Sequence, residues 1–350
     1  QAEHHATALY LAAQNGHTEI VKWLAGHGAD INAQGVNDMT PLFTALVNQK
    51  TDAVTTLLTL GADVNIPNNN GAYPIAIAAQ NGSLEMVQLL SENGANIDQP
   101  ILGAVSATPL YMATQNGHTE MVAWLAEQGA NINAKGVNGM IPLHLSFKNG
   151  HIDIARLLID QGADVHLTDN NGNPALHYSV NTGDDNLIQS LLDKGANVHV
   201  RNASGQTPVY LSSILNKVEV MKFLISKGAD INTPNISGFY PIHAAIQCGH
   251  IDIIKYLKTQ GMDANKDSDN GISPLYFAIA YTGKDQNIDV IKYLLDEGAI
   301  IDKANQQQGF TSLYAAIDQK GNMDLIKLLL DNGADVNKTV SLLHNYFNNI

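Results

Sequence analysis

The feature that most constrains this chain is a sequence period of 33 residues. The repeat is clearest at residues 108–140, TPLYMATQNGHTEMVAWLAEQGANINAKGVNGM, where two short helical patterns, each followed by a glycine, precede a loop. Pro109 serves as the anchor position for aligning the other repeats. The anchor recurs at Ala8, Pro41, Pro74, Pro109, Pro142, Ala175, Pro208, Pro241, Pro274 and Ser312, and weakly at Leu342. This regularity predicts ten stacked repeats and the start of an eleventh.

Two motifs that recur in register resemble the ankyrin repeat. The T-P-L-H-x-A signature appears, with substitutions, at residues 108–113, 141–144 and 240–245. A second family signature, G-A-D-V-N, appears at residues 61–65 and 333–337, with close variants in the other repeats. The resemblance implies an all-α solenoid of stacked helix-turn-helix repeats with projecting β-hairpin-like fingers, of which the loop at residues 131–140 is one.

We expect a single array over residues 1–350, because a solenoid grows by adding repeats rather than by enlarging one core. The repeats start near residues 7, 40, 73, 108, 141, 174, 207, 240, 273 and 311, with a partial or capping repeat at 341–350. The first repeat is a near-copy of the fourth, identical at 23 of 33 positions. That similarity indicates the duplication of a three-repeat block. The chain begins at Gln1, and we expect it to be a fragment of something longer.

Each repeat encodes its own helix boundaries. Thr108 is predicted to cap the first helix, and Pro109 fits the first helical position, where its missing N–H costs nothing. Gly117 supplies the left-handed residue that ends this helix. Two repeats carry Gln49 and Asn216 in place of that glycine. Because Asn tolerates the left-handed conformation better than Gln, we expect local strain in the second repeat.

Charge and cysteine content narrow the classes of partner and environment. The 33 acidic and 19 basic residues give a net charge of −14, which disfavours nucleic acid or an anionic membrane as partner. Many of the aspartates occupy one recurring position of the repeat. The negative charge therefore permits a basic protein partner but does not require one. The single cysteine, Cys248, favours an intracellular site, in the cytoplasm or in the cytosol of a host cell. No apolar run approaches membrane-spanning length, and we expect a monomer without membrane insertion.

The sequence predicts no enzyme activity, metal site or cofactor. Most of the 13 histidines fill repeat slots. Examples are His118, after the first-helix glycine, and His144 and His243, at a signature position where the family's histidine hydrogen-bonds locally. Cys248 and His250 lack a third orienting group and an oxyanion hole, which argues against a nucleophile and base. The phosphate-binding pattern G-x-x-x-x-G-K-[ST] is absent.

The resemblance also implies a concave binding side, lined by the finger tips and the exposed ends of the first helices. From the seventh repeat onward these positions become apolar, at Ile214, Leu215, Phe239, Ile272, Tyr281 and Phe310. Large apolar groups facing solvent indicate an interaction patch. The alternative is that several turn inward and fill gaps between fingers. Two enlarged loops, Pro100–Gly103 in the third finger and Thr282–Asn287 in the ninth repeat, are further candidates.

These observations predict a non-catalytic module that binds a protein partner, of unknown identity, on its concave face. The main alternative is a targeting or scaffold arm of a larger protein, such as a bacterial effector, with its catalytic domain outside this chain. A second alternative is enzyme activity hidden within the repeats. It would require pocket residues that break the repeat register, and none occurs beyond the ninth-repeat insertion.

Overall fold

The computed structural model describes residues 6–102, 106–281, 288–306, 309–318 and 322–338. Over these ranges the chain forms 20 α-helices and no β-strand, which confirms the predicted all-α fold class. The first helices of the repeats are α1 (Ala8–Asn15), α3 (Pro41–Val47), α5 (Pro74–Gln80), α7 (Pro109–Asn116), α9 (Pro142–Asn149), α11 (Ala175–Ser179), α13 (Pro208–Ile214), α15 (Pro241–Cys248), α17 (Pro274–Ala280) and α19 (Ser312–Asp318). The second helices are α2 (Thr18–Gly26), α4 (Thr51–Thr59), α6 (Leu84–Glu92), α8 (Thr119–Glu127), α10 (Ile152–Asp160), α12 (Asp185–Asp193), α14 (Val218–Ser226), α16 (Ile251–Thr259), α18 (Ile288–Asp296) and α20 (Met323–Asp331).

Two compact regions make up the chain. The first region, Gln1–Asn170, contains α1 to α10, and the second region, Asn171–Ile350, contains α11 to α20. Each region is therefore built from five helix pairs. The single array over residues 1–350 stays a prediction.

The first helices begin at the anchor positions, for the reasons that the sequence indicated. Thr40 and Thr108 cap their helices, since each side-chain oxygen accepts a hydrogen bond from the backbone N–H three residues later, at 3.1 and 3.2 Å. Gly117 adopts a left-handed φ of 78° at the end of α7. Gln49 and Asn216 both have a φ of 54°. The second repeat thus holds a side chain in a conformation that costs about 1–2 kcal/mol relative to right-handed backbone.

Small residues allow the helices of neighbouring repeats to approach closely. The position four residues after the anchor is at most 5% exposed at Ala12, Ala45, Ala78, Ala113, Ser146 and Ala245. In α8, Met121, Val122 and Leu125 are buried, whereas Trp124 is only partly covered. Because helices of adjacent repeats contact one another, the core runs between repeats rather than inside each one.

The fingers are closed by backbone hydrogen bonds and joined to one another. The N–H of Asn235 donates to the carbonyl of Phe239 at 2.9 Å and closes one finger. The N–H of Ile236 donates to the carbonyl of Ser204 in the preceding finger at 3.0 Å. In the first region the N–H of Asn69 donates to the carbonyl of Asn37 in the same way, at 3.0 Å. The fingers therefore form a hydrogen-bonded row within each region.

Three predicted features lie wholly or partly outside the described residues. They are the partial repeat at 341–350, the enlarged loop at 282–287, and Gly103 in the third finger. The described part of that finger is bonded to its neighbour, since the N–H of Leu102 donates to the carbonyl of Gly71 at 2.8 Å.

Candidate protein-binding surface

The ends of the first helices in the second region expose apolar side chains at one repeat position, seven residues after the anchor. Leu215 follows α13 and is 40% exposed, and Tyr281 follows α17 and is 45% exposed. Cys248, at the same position of α15, is also exposed. A residue at the helix C-cap extends past the stretch that packs between repeats, so its side chain points toward solvent.

The sequence also predicted exposed side chains at the finger position, two residues before the anchor, and this prediction does not hold at every repeat. Ile272 is only 2% exposed, so its predicted place on the surface is wrong. Two hydrogen bonds close its finger, from Ser268 N–H to Ile272 carbonyl at 2.9 Å and from Ile272 N–H to Ser268 Oγ at 3.1 Å. Ala107 and Met140, at the equivalent finger position, are buried as well. At these three residues the finger position faces the interior, which is the alternative that the sequence left open.

Phe239, Phe310 and Ile214 are half-buried rather than freely exposed. Phe310 stacks on Tyr314, with ring centroids 4.1 Å apart. Ile214 is the last residue of α13 and lies beside the exposed Leu215. These three side chains each retain some accessible surface, so they remain available at the margin of a contact.

An aromatic cluster forms where one finger meets α17. We define it as Phe239, Phe277 and Tyr281. Phe277 lies 4.8 Å from Phe239 and 5.0 Å from Tyr281, centroid to centroid, and Phe239 lies 6.1 Å from Tyr281. Aromatic pairs at these separations each stabilise by roughly 0.5–1.5 kcal/mol beyond area burial. The cluster therefore holds the exposed Tyr281 ring in a defined position.

Phe277 is a member of this site that the sequence reasoning missed. It is 3% exposed and lies between the two predicted rings. Its signal was the i, i+4 spacing with Tyr281, which places both side chains on one face of a helix. Ile236 was also missed, although it is 72% exposed at a finger tip. The only signal for this exposed side chain in the sequence was an isoleucine placed among asparagine, serine and glycine.

A polar network adjoins the aromatic cluster. The hydroxyl of Tyr240 donates to Asp269 Oδ1 at 2.6 Å. Lys266 Nζ lies 4.0 Å from the centroid of the Tyr240 ring and donates to Asn232 Oδ1 at 2.8 Å. The hydrogen bond to the Asp269 carboxylate raises the pKa of Tyr240, so its hydroxyl stays protonated. An apolar centre beside a polar, hydrogen-bonded border is the usual arrangement of a protein interface.

A comparison of the sequence with models of known families finds matches over the same repeats. A family model described as ankyrin repeats (3 copies) matches residues 1–68, 60–136, 143–235, 176–268 and 242–340, which together span most of the chain. The chain belongs to the ankyrin-repeat family. Among solved structures it is similar to the human ASB11 ankyrin repeat domain, with a TM-score of 0.54 and 28% sequence identity. That alignment covers 63% of this chain and 97% of the other. A search of curated proteins found no match.

The histidine of the ankyrin signature has a structural role here. The N–H of Ile141 donates to Nδ1 of His144 at 3.3 Å, and Nε2 of the same ring lies 3.0 Å from the carbonyl of Leu167. Burial lowers the pKa of His144 to about 4 and that of His243 to about 4. Both rings are neutral at pH 7, and the His144 ring joins the first helix to the neighbouring loop.

The surroundings of Cys248 and His250 do not favour a nucleophile and base. Burial raises the pKa of the Cys248 thiol, which reduces the thiolate fraction at neutral pH. His250 Nδ1 lies 2.9 Å from the carbonyl of Ser213 and is engaged with the preceding repeat. Within the described ranges, no group of three or more His, Cys, Asp or Glu is placed to hold a metal ion.

Ankyrin repeats are generally modules for protein–protein interaction, and the fold is typically non-catalytic. Protein partners are therefore the class of ligand that the family suggests. In the described part of this chain, none of the helices combines the length and apolar character needed to cross a bilayer.

Proposed function

We propose that this chain is a non-catalytic adaptor that binds a protein partner through its second region. The contact surface, called the late patch, consists of Leu215, Phe239 and Tyr281, with Ile214 and Phe310 at its margin. The patch is formed by finger residues and first-helix ends, and we infer from the family resemblance that this side is the concave face. Ile272 is not part of the patch, because its side chain is buried.

One observation carries this proposal: the Tyr281 ring is 45% exposed although it is fixed against Phe277. An exposed ring that is already ordered loses little conformational entropy on binding, so more of its contact energy appears as affinity. Tyrosine is also among the residues most frequent at energetic hot spots of interfaces. Leu215, two repeats before Tyr281, adds exposed apolar surface at the same repeat position.

The charge of the region also supports a protein partner over a nucleic acid. Residues 171–350 carry 18 acidic and 14 basic side chains. A surface with this balance gains nothing from the release of counterions by a phosphate backbone. The partner that fits is a protein with an apolar or aromatic centre to its own binding site.

The test is a crosslinking pull-down with a matched control variant. The patch variant carries Leu215→Ser and Tyr281→Ser, which leave the buried Phe277 in place. The control carries Asn48→Ser and Asn116→Ser, at the same repeat position in the first region, where both asparagines are exposed. Circular dichroism first establishes that both variants fold.

We expect a protein that the wild type and the control capture and that the patch variant loses. Isothermal titration with the purified partner then measures the change in Kd. Equal capture by all three proteins would remove the late patch as the binding surface. Loss with the control variant instead would move the surface to the first region.

A further inference from the structure

One position couples several repeats to the repeats before them. It is the residue after the first-helix glycine. Nε2 of His118 lies 3.1 Å from the carbonyl of Gln80, and Nε2 of His151 lies 3.2 Å from the carbonyl of Gln115. Each ring also covers the glycine of the preceding repeat so closely that a Cβ at Gly82 would lie 2.5 Å from His118. The imidazole therefore fills the space at the junction and makes a polar contact across it.

The junction between the second and third repeats lacks this ring. Ser83 stands where four other repeats carry histidine, and it is smaller than the Lys50, Asp184 and Lys217 side chains that stand there in three more. Gln49 stands where most repeats carry glycine. A cavity of about 160 Å³ lies at this junction. Leu46, Val54 and Met86 contribute apolar walls, and Gln49, Lys50 and Ser83 contribute polar groups.

The small Ser83 side chain at the histidine position, rather than the missing glycine, accounts for this cavity. The junction between the seventh and eighth repeats also lacks the glycine and has Asn216 at a φ of 54°. There His250 is present, and its Nδ1 lies 2.9 Å from the carbonyl of Ser213. Leu46 is the residue equivalent to Ser213, and it lines the cavity at the second junction. The second junction thus has the walls and the backbone acceptor of a histidine site without the ring.

We propose that this cavity binds an imidazole-type ring, a small nitrogen heteroaromatic with an N–H donor. The ring takes the place that the side chains of His118, His151 and His250 occupy at their junctions, and it donates to the carbonyl of Leu46. The volume suits such a ligand, since cavities of about 150 Å³ bind single aromatic rings. Gln49 and Ser83 are within the same lining and offer partners for the second ring nitrogen. The ring belongs either to a free small molecule or to a histidine side chain of a partner protein.

The experiment follows the methyl NMR signals of the full chain during titration. The probes are imidazole, and the capped tripeptide acetyl-Gly-His-Gly-amide as the side-chain form of the same ring. We expect saturable shifts of the Leu46, Val54 and Met86 methyl groups and no comparable shift of Met121, the equivalent residue at a junction that His118 fills. Ser83→His should abolish the shifts and raise Tm, because it supplies the ring covalently. Ser83→Ala should retain them, because it keeps the space.

The two probes distinguish the sources of the ring. Shifts with imidazole alone support a site for a free small molecule, and shifts with both probes support a site that also accepts a side chain. Absence of saturable shifts with either probe overturns the proposal. Shifts that persist in Ser83→His overturn it too, since the ligand would then lie elsewhere. Neither result bears on the late patch, which lies in the other region.

Discussion

The two regions carry different side chains at the same exposed position, seven residues after the anchor. In the first region the position holds Asn15, Asn48, Asn81, Asn116 and Asn149, all exposed. In the second region it holds Thr182, Leu215, Cys248 and Tyr281. The first region is also more acidic, with 15 acidic and 5 basic residues against 18 and 14 in the second.

The asparagines show what this position does when it serves the fold alone. The side-chain amide of Asn48 donates to the carbonyl of Thr44 at 2.8 Å, and that of Asn116 donates to the carbonyl of Met112 at 2.9 Å. The amide adds a second hydrogen bond to a carbonyl of the last helical turn, since the Thr44 carbonyl also accepts the backbone N–H of Asn48 at 3.1 Å. Leucine and tyrosine cannot make this bond, and they expose apolar surface instead. This difference supports the proposed binding surface of the second region.

The largest expected effect comes from removing the centre of the aromatic cluster. Phe277→Ala should lower the free energy of unfolding of the second region by about 3–5 kcal/mol, the usual cost of truncating a buried phenylalanine. Met112→Ala, at the same repeat position in the first region, should cost less because Met112 is only half-buried. Urea unfolding followed by circular dichroism measures both. A loss below about 1 kcal/mol for Phe277→Ala would contradict its role in the cluster.

The same variant tests whether residues 1–350 form one cooperative array. The only two tryptophans, Trp23 and Trp124, both lie in the first region, so their fluorescence follows that region. A shift of the fluorescence transition in Phe277→Ala would support one array, since coupling between neighbouring repeats transmits the loss. A fluorescence transition that stays in place would show that the regions unfold separately.

Acid should weaken both regions through the same signature histidine. Burial lowers the pKa of His144, in the first region, and of His243, in the second, to about 4 in the folded chain. The unfolded chain binds these protons near pH 6.5, so stability is fully present above that pH and falls as pH drops toward 4. Each histidine contributes on the order of 3 kcal/mol to this loss.

Urea unfolding between pH 7.5 and pH 4 measures the acid dependence. His144→Asn and His243→Asn should lower stability at pH 7 yet flatten the acid slope. The reason is that the substituted amide does not titrate in this range. An unchanged slope in both variants would assign the acid loss to other groups.

A swap of residues between the regions should act on binding and leave folding almost unchanged. Leu215→Asn with Tyr281→Asn places first-region residues at the late patch. We expect a loss of about 2 kcal/mol in affinity for the captured partner, close to 30-fold in Kd, as for hot-spot residues. Unfolding free energy should change by less than about 0.5 kcal/mol, because both positions are exposed. An unaltered affinity, measured by isothermal titration, would show that the difference between the two regions at this position does not affect binding.

The smallest expected effect concerns the helix ends without glycine, one in each region. Gln49→Gly should stabilise the first region by about 1 kcal/mol, because glycine has no Cβ to clash in left-handed backbone. Asn216→Gly should stabilise the second region by less, since asparagine already tolerates this conformation. Thermal unfolding of the two variants gives the difference. A larger gain for Asn216→Gly would reverse the expected order of strain.

The sequence by itself determined the local backbone of each repeat. The threonine cap, the proline at the first helical position and the glycine at the helix end act within a few residues of one another. Their geometry does not depend on which repeat packs next to them. The helix starts were therefore predictable at the anchors, from Ala8 to Ser312, and so were the left-handed positions at Gln49 and Asn216. The positions of Leu215 and Tyr281 within their repeats also predicted correctly that these side chains, at the ends of first helices, are exposed.

Only the tertiary structure decided which apolar side chains face the interior. Ile272 was expected on the surface and is buried, and Phe277 was overlooked although it joins two predicted residues. The fate of such a side chain depends on neighbours that are distant in sequence, as when Phe239 packs on Phe277 at 4.8 Å, a residue of the next repeat. A repeat pattern states that a position lies near the adjacent repeat. It does not state whether the adjacent side chains are large enough to cover it, and that coverage separates a core residue from a binding residue.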